Sequence, residues 1–512
     1  MKYQAVSLAL AELSTAHPEV VDQESEGRPP DSVWSAAPPA DKVELHRALT
    51  QELSTTVEAL IACEAATSSW EDQRRWEQLA GAVSAVIQES PTLGLDLLEA
   101  SGRGHPELEQ VVLRGWARSR ADAELAPRLL ERIGELQLEP ILGFVTTTIG
   151  GFGVVGSDPV EWFSFEQSEM IASKCWNTLS PNAVSSLSNT DDYAMKAINH
   201  PAGHLAEFWV QRIGHLWTVA GDGWAGIPPE IADHLADLLA EHNERSEALE
   251  ITLCRYVAFL YQADPDWCKQ YMYPLLNWDN ISRAKKTWSG FLSHGGWTNK
   301  LLADGFLDLL IATSAHSDQL NKQSLRNLTG LLAKIAVTAD SDPNTWVTNL
   351  IANSSVGDRV AWSRAIRFEL ASLDQESVER QWTRWVGGYL KDRVGGAPRS
   401  LDPAEASAIA NWLLFLDDSM KGAIELLLTV ETVGLGLHDL FLHDLGDKQI
   451  AKAPETIARL LHHLLKSTVD QFHQALKIQE IYVQLVDAGV DAEVLHRIAE
   501  EATRLRVDVV VQ

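Results

Sequence analysis

Cysteine is scarce in this chain of 512 residues: there are four thiols, Cys63, Cys175, Cys254 and Cys268, and no two form a CxxC pair. That excludes a zinc ribbon or a disulfide framework and fits a reducing cytoplasm. Positive charge is also short, with 42 Lys and Arg against 71 Asp and Glu, a formal net charge of −29. Such a chain repels phosphate backbones at long range, which argues against nucleic acid as the main ligand. The basic clusters are modest: Arg74 with Arg75, Lys285 with Lys286, and the run Arg380, Arg384, Lys391, Arg393, Arg399. That run lies mostly on one amphipathic pattern and reads as a solvated helix face.

Long apolar runs are missing. The uncharged stretch 140–157 contains five glycines and three threonines and falls short of the ~20 apolar residues of a spanning helix. No membrane partner is expected. The start, "MKYQAVSLALAELST", lacks the apolar length and cleavage site of a secretory signal, so the expected location is cytoplasmic. Strand signals are sparse as well. Only "GFVTTTIGG" (143–151) and "RVDVVVQ" (506–512) are β-prone, and no alternation of strands with helices supports an α/β enzyme fold.

What is present is helical punctuation. In "ESVERQWTRWVGGYLKDRV", Val378, Trp382, Trp385, Val386, Tyr389 and Leu390 fall on one stripe of 3.6-residue period, and Gly395, Gly396 and Pro398 end it. Asp402-Pro403-Ala404-Glu405 then restarts a helix as a capping box, with proline at the first helical position. Asp158-Pro159, Asp264-Pro265 and Asp342-Pro343, each followed by a tryptophan, repeat the device at irregular intervals. The expected fold is all-α, an irregular HEAT-like array of antiparallel helix pairs. The expected organisation is a flexible leader (1–41), an N-terminal helical domain (42–145), a glycine-rich connector (146–158) and a helical-repeat array (159–512).

Four motifs compete with that reading. Gly151, Gly153 and Gly156 spell GxGxxG. A dinucleotide site needs a strand before it and an acid about 20 residues on at a strand end, and here a helix pattern fills that place. No cofactor is therefore expected. In "INHPAGHLAEFW", His200, His204 and Glu207 have helical metal-ligand spacing, yet Pro201 reads as the first helical residue, which makes Asn199 or His200 a cap. Gly203 then permits a close backbone approach. In "GLHDLFLHDLGD", His438-Asp439 and His443-Asp444, with His462, His463 and His473 beyond, are the residue types of a metal-dependent hydrolase. The five-residue spacing turns the two histidines to different helix faces. Ser282 to Lys285 matches SxxK without its companion motifs. None of these makes a catalytic set, so no metal is assigned. Tryptophan is abundant, with 18 residues. At helical spacing its default is core, while Trp382, Trp385, Arg380 and Arg384 are the candidates for an interaction surface.

Three segments, 264–293, 380–416 and 198–205, resemble the helical C-terminal region of bacterial sirtuin-like proteins, a group linked to antiphage defence. The resemblance spans roughly residues 190–470 and rests on tryptophan, proline and glycine spacing. It implies a helical scaffold or sensor that works with an NAD-handling effector. The Gly-Ala-Gly-x-Ser turn of the catalytic part is not found. The expected role is protein–protein interaction, with an effector subunit or a phage protein as partner and self-association left open. A metal-dependent hydrolase, or a helical fragment of an NAD-consuming effector, are the alternatives.

Overall fold

The computed structural model describes residues 42–65, 69–119, 124–151, 165–181, 192–431, 433–434, 441–468, 475–507 and 509. The leader 1–41, the helix start at Asp158-Pro159, and His438, Asp439 and His473 lie outside them, as does the Asp444 side chain. Helix is the only regular structure among the described residues, so the chain is all-α. These residues divide into two compact units between Cys175 and Trp176.

The first unit contains α1 (Lys42–Gln51), α2 (Leu53–Ala65), α3 (Trp70–Glu89), α4 (Pro91–Ser101), α5 (Pro106–Arg118), α6 (Leu125–Glu135) and α7 (Leu142–Gly151). Odd helices pack on odd and even on even: α1 on α3, α3 on α5 and α5 on α7 form one row, and α2, α4 and α6 the other. Local chemistry starts the helices. Ser69 caps α3 by accepting from Asp72 N, and Pro91 and Pro106 open α4 and α5 where a missing N–H costs nothing. Trp116 is fully buried and donates to Pro91 O at 3.0 Å, which locks α5 to the start of α4.

The β-prone "GFVTTTIGG" is the exception to the sequence expectation, because it is the helix α7. Its threonine hydroxyls bond back along the helix, Thr146 and Thr147 to Gly143 O and Thr148 to Phe144 O. Thr148 also reaches Leu113 O on α5 at 3.2 Å. With Val145 and Ile149 buried on the same face, packing overrides β propensity. At the other end of the chain, described residues of 506–512 form no strand.

In the second unit the repeating row consists of α8 (Pro201–Ala220), α9 (Glu244–Arg255), α10 (Ile281–His294), α11 (Lys322–Thr338), α12 (Val356–Ala371), α13 (Pro403–Ala410), α14 (Met420–Leu427), α15 (Pro454–Ser467) and α16 (Ala492–Arg504). Each packs on the next, with further helices between them, so the unit is a solenoid-like stack of helices. Small residues set the closest approach. A methyl group on Gly290 of α10 would lie 2.0 Å from Ile251 O on α9, and one on Gly203 of α8 would lie 1.8 Å from Ala197 O. Charge then ties α9 to α10: Arg283 holds Glu250 at 2.8 and 2.7 Å, and Lys286 holds Glu247.

The Asp-Pro starts fold as their chemistry dictates. Asp264 accepts from Trp267 N, Asp342 from Asn344 N and Asp402 from Ala404 N, each with proline at the first position. Trp267 and Trp346, each just inside such a start, are buried.

Candidate functional site

The stripe in residues 375–394 builds a buried site around a π turn. Gln375–Gln381 is α-helical, Trp382–Val386 is a π turn and Gly387–Val394 is α-helical again. The wider turn is a feature that concentrates at functional sites. Val378, Trp385, Val386, Tyr389 and Leu390 point into the core. Arg393 continues that stripe, lying four residues past Tyr389 and seven past Val386. It is buried with them, at 1% side-chain exposure, so the basic run does not form a solvated face along its whole length.

Arg393 meets Glu405, whose side chain is 0% exposed. Its Nε donates to Oε1 at 2.9 Å and its Nη2 to Oε2 at 2.9 Å. From α12, Arg359 Nε donates to the same Oε2 at 2.8 Å, and its side chain is 5% exposed. Glu405 therefore does not complete a capping box at the start of α13; Asp402 alone caps there. The buried guanidinium pair outcompetes a solvent-facing backbone N–H for the carboxylate. Further arginine donors go to carbonyls. Arg393 Nη1 reaches Ala397 O and Arg399 O, Nη2 reaches Ser400 O at 3.5 Å, and Arg359 Nη1 reaches Ser354 O. The three Arg393 bonds hold the turn 395–400, which contains the cis Ala397–Pro398 peptide. Two guanidinium groups on one carboxylate leave an excess of positive charge in the interior.

An aromatic cluster flanks the ions. Tyr389 stacks on Trp412 at 5.7 Å between ring centres and meets Trp362 edge-on at 5.5 Å, while Trp385 lies 5.9 Å from Tyr389. Trp412 Nε1 donates to Ser363 O and Trp385 Nε1 to Gln381 Oε1. Tyr389 Oη is buried and has no hydrogen-bond partner, which costs roughly 1–3 kcal/mol. Burial, followed by the neighbouring Glu405 charge, pushes the phenol pKa up, so its hydroxyl keeps its proton.

Tyr389 and Arg393 line a cleft of about 110 Å³. Trp385, Val347, Pro343 and Pro398 supply its apolar wall, and Asn344, Thr348 and Asp392, all exposed, its polar rim. The cleft is tied to the preceding repeat. Arg384 Nη2 donates to Ala339 O and Ser341 O at the end of α11, and Asn344 Nδ2 donates back to Arg384 O.

Trp385 is buried and Arg384 half-buried against carbonyls; Trp382 is half-buried, and Arg380 is exposed beside Glu376. His200 is the cap of α8, accepting from Ala202 N through Nδ1 at 3.1 Å. His204 sits one turn on, its pKa lowered to about 4 by burial and by His200. Glu207 binds Arg255 and accepts from the Tyr256 hydroxyl at 3.2 Å. These three are thus engaged at a helix start and an ion pair. His443 is exposed on the short helix Phe441–Asp444. Burial lowers the pKa values of His462 and His463 on α15. No group of three or more His, Cys, Asp or Glu among the described residues is arranged to hold a metal ion. No helix among the described residues is long and apolar enough to cross a membrane.

The sequence does not show that Arg393 and Arg359 meet at Glu405. The signal available was Arg393 falling on the apolar stripe; nothing local marks Arg359. All three lie in residues 332–502, which match a family model described as a domain of unknown function, DUF4020. No curated protein and no solved structure matches the chain.

Proposed function

We propose that this chain is a non-enzymatic helical scaffold that acts through protein–protein contacts. The observation that carries this reading is the use made of its reactive side chains. Arg283 with Glu250, Arg384 with the end of α11, Arg359 with Glu405 and Trp412 with Ser363 all link one helix pair to another. Chemistry that could serve catalysis instead fastens a repeat array, and such arrays offer extended binding faces. The cleft beside Tyr389 supplies one recessed contact point, walled by aromatic and proline rings of the kind that anchor interfaces.

The resemblance to the helical part of sirtuin-like antiphage proteins supports a place in a bacterial defence system, in the cytoplasm, with the catalytic effector on another segment or chain. The test is covalent cross-linking of the full chain in cells with and without phage, with plaque counts read in parallel. A partner recovered in cross-links to residues 332–502, and protection lost when those contacts are blocked, is the expected result. A chain that stays uncross-linked and whose deletion leaves plaque counts unchanged would overturn the reading.

A further inference from the structure

We propose that His200 is a pH-sensitive latch on the start of α8: neutral, it caps that helix, and protonated, it turns to the Glu244 carboxylate and lets the helix start open.

A hydrogen bond fixes the neutral state. The Ala202 N–H donates to His200 Nδ1 at 3.1 Å, and a ring nitrogen accepts only when it carries no proton. Asn243, Asn321 and Ser355 cap α9, α11 and α12 through oxygens, which keep accepting as the pH falls. An imidazolium has an N–H on both nitrogens, so the Ala202 N–H would face another donor. The positive end of the helix dipole adds to that repulsion. Protonation therefore removes the cap and drives the ring from the helix mouth.

The protonated state has a partner close by. Glu244, the first residue of α9, favours the charged form of His200, and its Oε2 is buried without a hydrogen-bond partner. The other charges around the latch are already engaged. On α9, Arg245 binds Glu241, while Glu247 and Glu250 bind Lys286 and Arg283 of α10. Lys285 of α10 lies over the Tyr193 ring, and Glu207 of α8 holds Arg255. In the preceding helix, Tyr193–Ile198, Asp192 is the cap and Lys196 is the opposing cation. His204, one turn along α8, stays neutral down to about 4. Glu244 is thus the acid left to receive the ring.

The latch holds a tight joint. A methyl group on Gly203 would lie 1.8 Å from Ala197 O and 3.0 Å from Thr252 Oγ1 on α9. Ala202, Gly203, Leu205 and Ala206 are buried there, so release of the cap frays a turn that fastens α8 to α9. Burial lowers the His200 pKa, and Glu244 offsets this in part. The cap's contribution is therefore complete above 6.5 and is lost as acid protonates the ring in the folded chain.

Hydrogen–deuterium exchange of the full chain tests the latch, read on peptides covering 198–206 with labelling times scaled for the intrinsic effect of pH. From about pH 7 to about pH 5, protection of these amides should fall roughly 2- to 30-fold, the range of a lost N-cap, while peptides of α11 keep theirs. His200→Asn retains an acceptor at the cap without a titrating ring, so its protection should stay level over the same range. Glu244→Gln removes the receiving charge and should move the fall to lower pH. No fall in the parent chain, or an equal fall in H200N, would overturn the latch. A fall in E244Q at the parent's pH would overturn the transfer to Glu244, and an equal loss in α11 would mark general loosening by acid in place of a local device.

Discussion

Arg393 and Glu405 face each other across two parallel hydrogen bonds of 2.9 Å, both side chains sealed from solvent. Because Arg359 shares the same carboxylate, Glu405 is the common counter-ion of two arginines drawn from two other helices. Glu405→Gln keeps the shape and removes the charge, which leaves two buried cations without a counter-ion. A loss of about 3–5 kcal/mol is expected, read as a lower urea midpoint by tryptophan fluorescence. Replacing all three residues together, as R359M/R393M/E405L, should recover most of that loss, because no buried ion is then left unpaired. A triple variant no more stable than E405Q would show that the arginines act chiefly through the carbonyls they bind.

Glycine placement yields opposite outcomes at two helical positions. Gly290→Ala places a methyl group 2.0 Å from Ile251 O, a backbone atom that cannot swing away, so α9 and α10 must separate. We expect a destabilisation of about 1–3 kcal/mol, the usual cost of overpacking. Gly330 lies inside α11 with nothing within 4 Å of an added Cβ. Gly330→Ala should therefore stabilise the chain by about 0.5–1 kcal/mol through helix propensity. Thermal melts of the two variants beside the parent decide both.

How much of this was legible in the sequence depended on how local the chemistry was. The caps at Asp264, Asp342, Asp402 and His200 involve atoms two or three residues apart, and there the residue types suffice. Glu405 shows where local reading stops. As the third helical residue it has the capping-box pattern, but two guanidiniums from elsewhere in the chain claim its oxygens. Arg393 lies on the apolar stripe, yet burial of a cation depends on a counter-ion that the stripe does not contain. In α7 three threonines pointed to a strand, and hydroxyl back-bonding with burial on α5 made a helix. The cleft could not be foreseen, since its walls join the short helices Pro343–Thr345 and Val347–Asn353 to the π-turned helix one repeat later.

Acid should weaken the second unit in a defined window. The unfolded chain protonates His204 near the ordinary value of 6.5, whereas the folded chain resists until about 4. Between those values the unfolded state binds the extra proton, so stability is fully present above 6.5 and falls as the pH drops towards 4. Burial shifts His200, His462 and His463 in the same direction. The melting temperature should decline from pH 7 to pH 4, and less steeply in His204→Gln. Parallel curves for the two proteins would remove His204 as a contributor.

Thiol reactivity offers a check on burial that is independent of charge. Cys63 is exposed on α2, while Cys175, Cys254 and Cys268 are buried. Burial pushes the thiols of Cys175 and Cys268 up to about 12 and that of Cys254 well above its ordinary value, so little thiolate forms at neutral pH. A disulfide reagent such as Ellman's should therefore titrate one thiol rapidly in the native chain and all four in denaturant. Cys63→Ser should abolish the fast phase while leaving the denatured count at three. A second fast thiol that persists in C63S would place one of the three buried cysteines within reach of solvent, and peptide mapping of the labelled residue would identify which helix pair had opened.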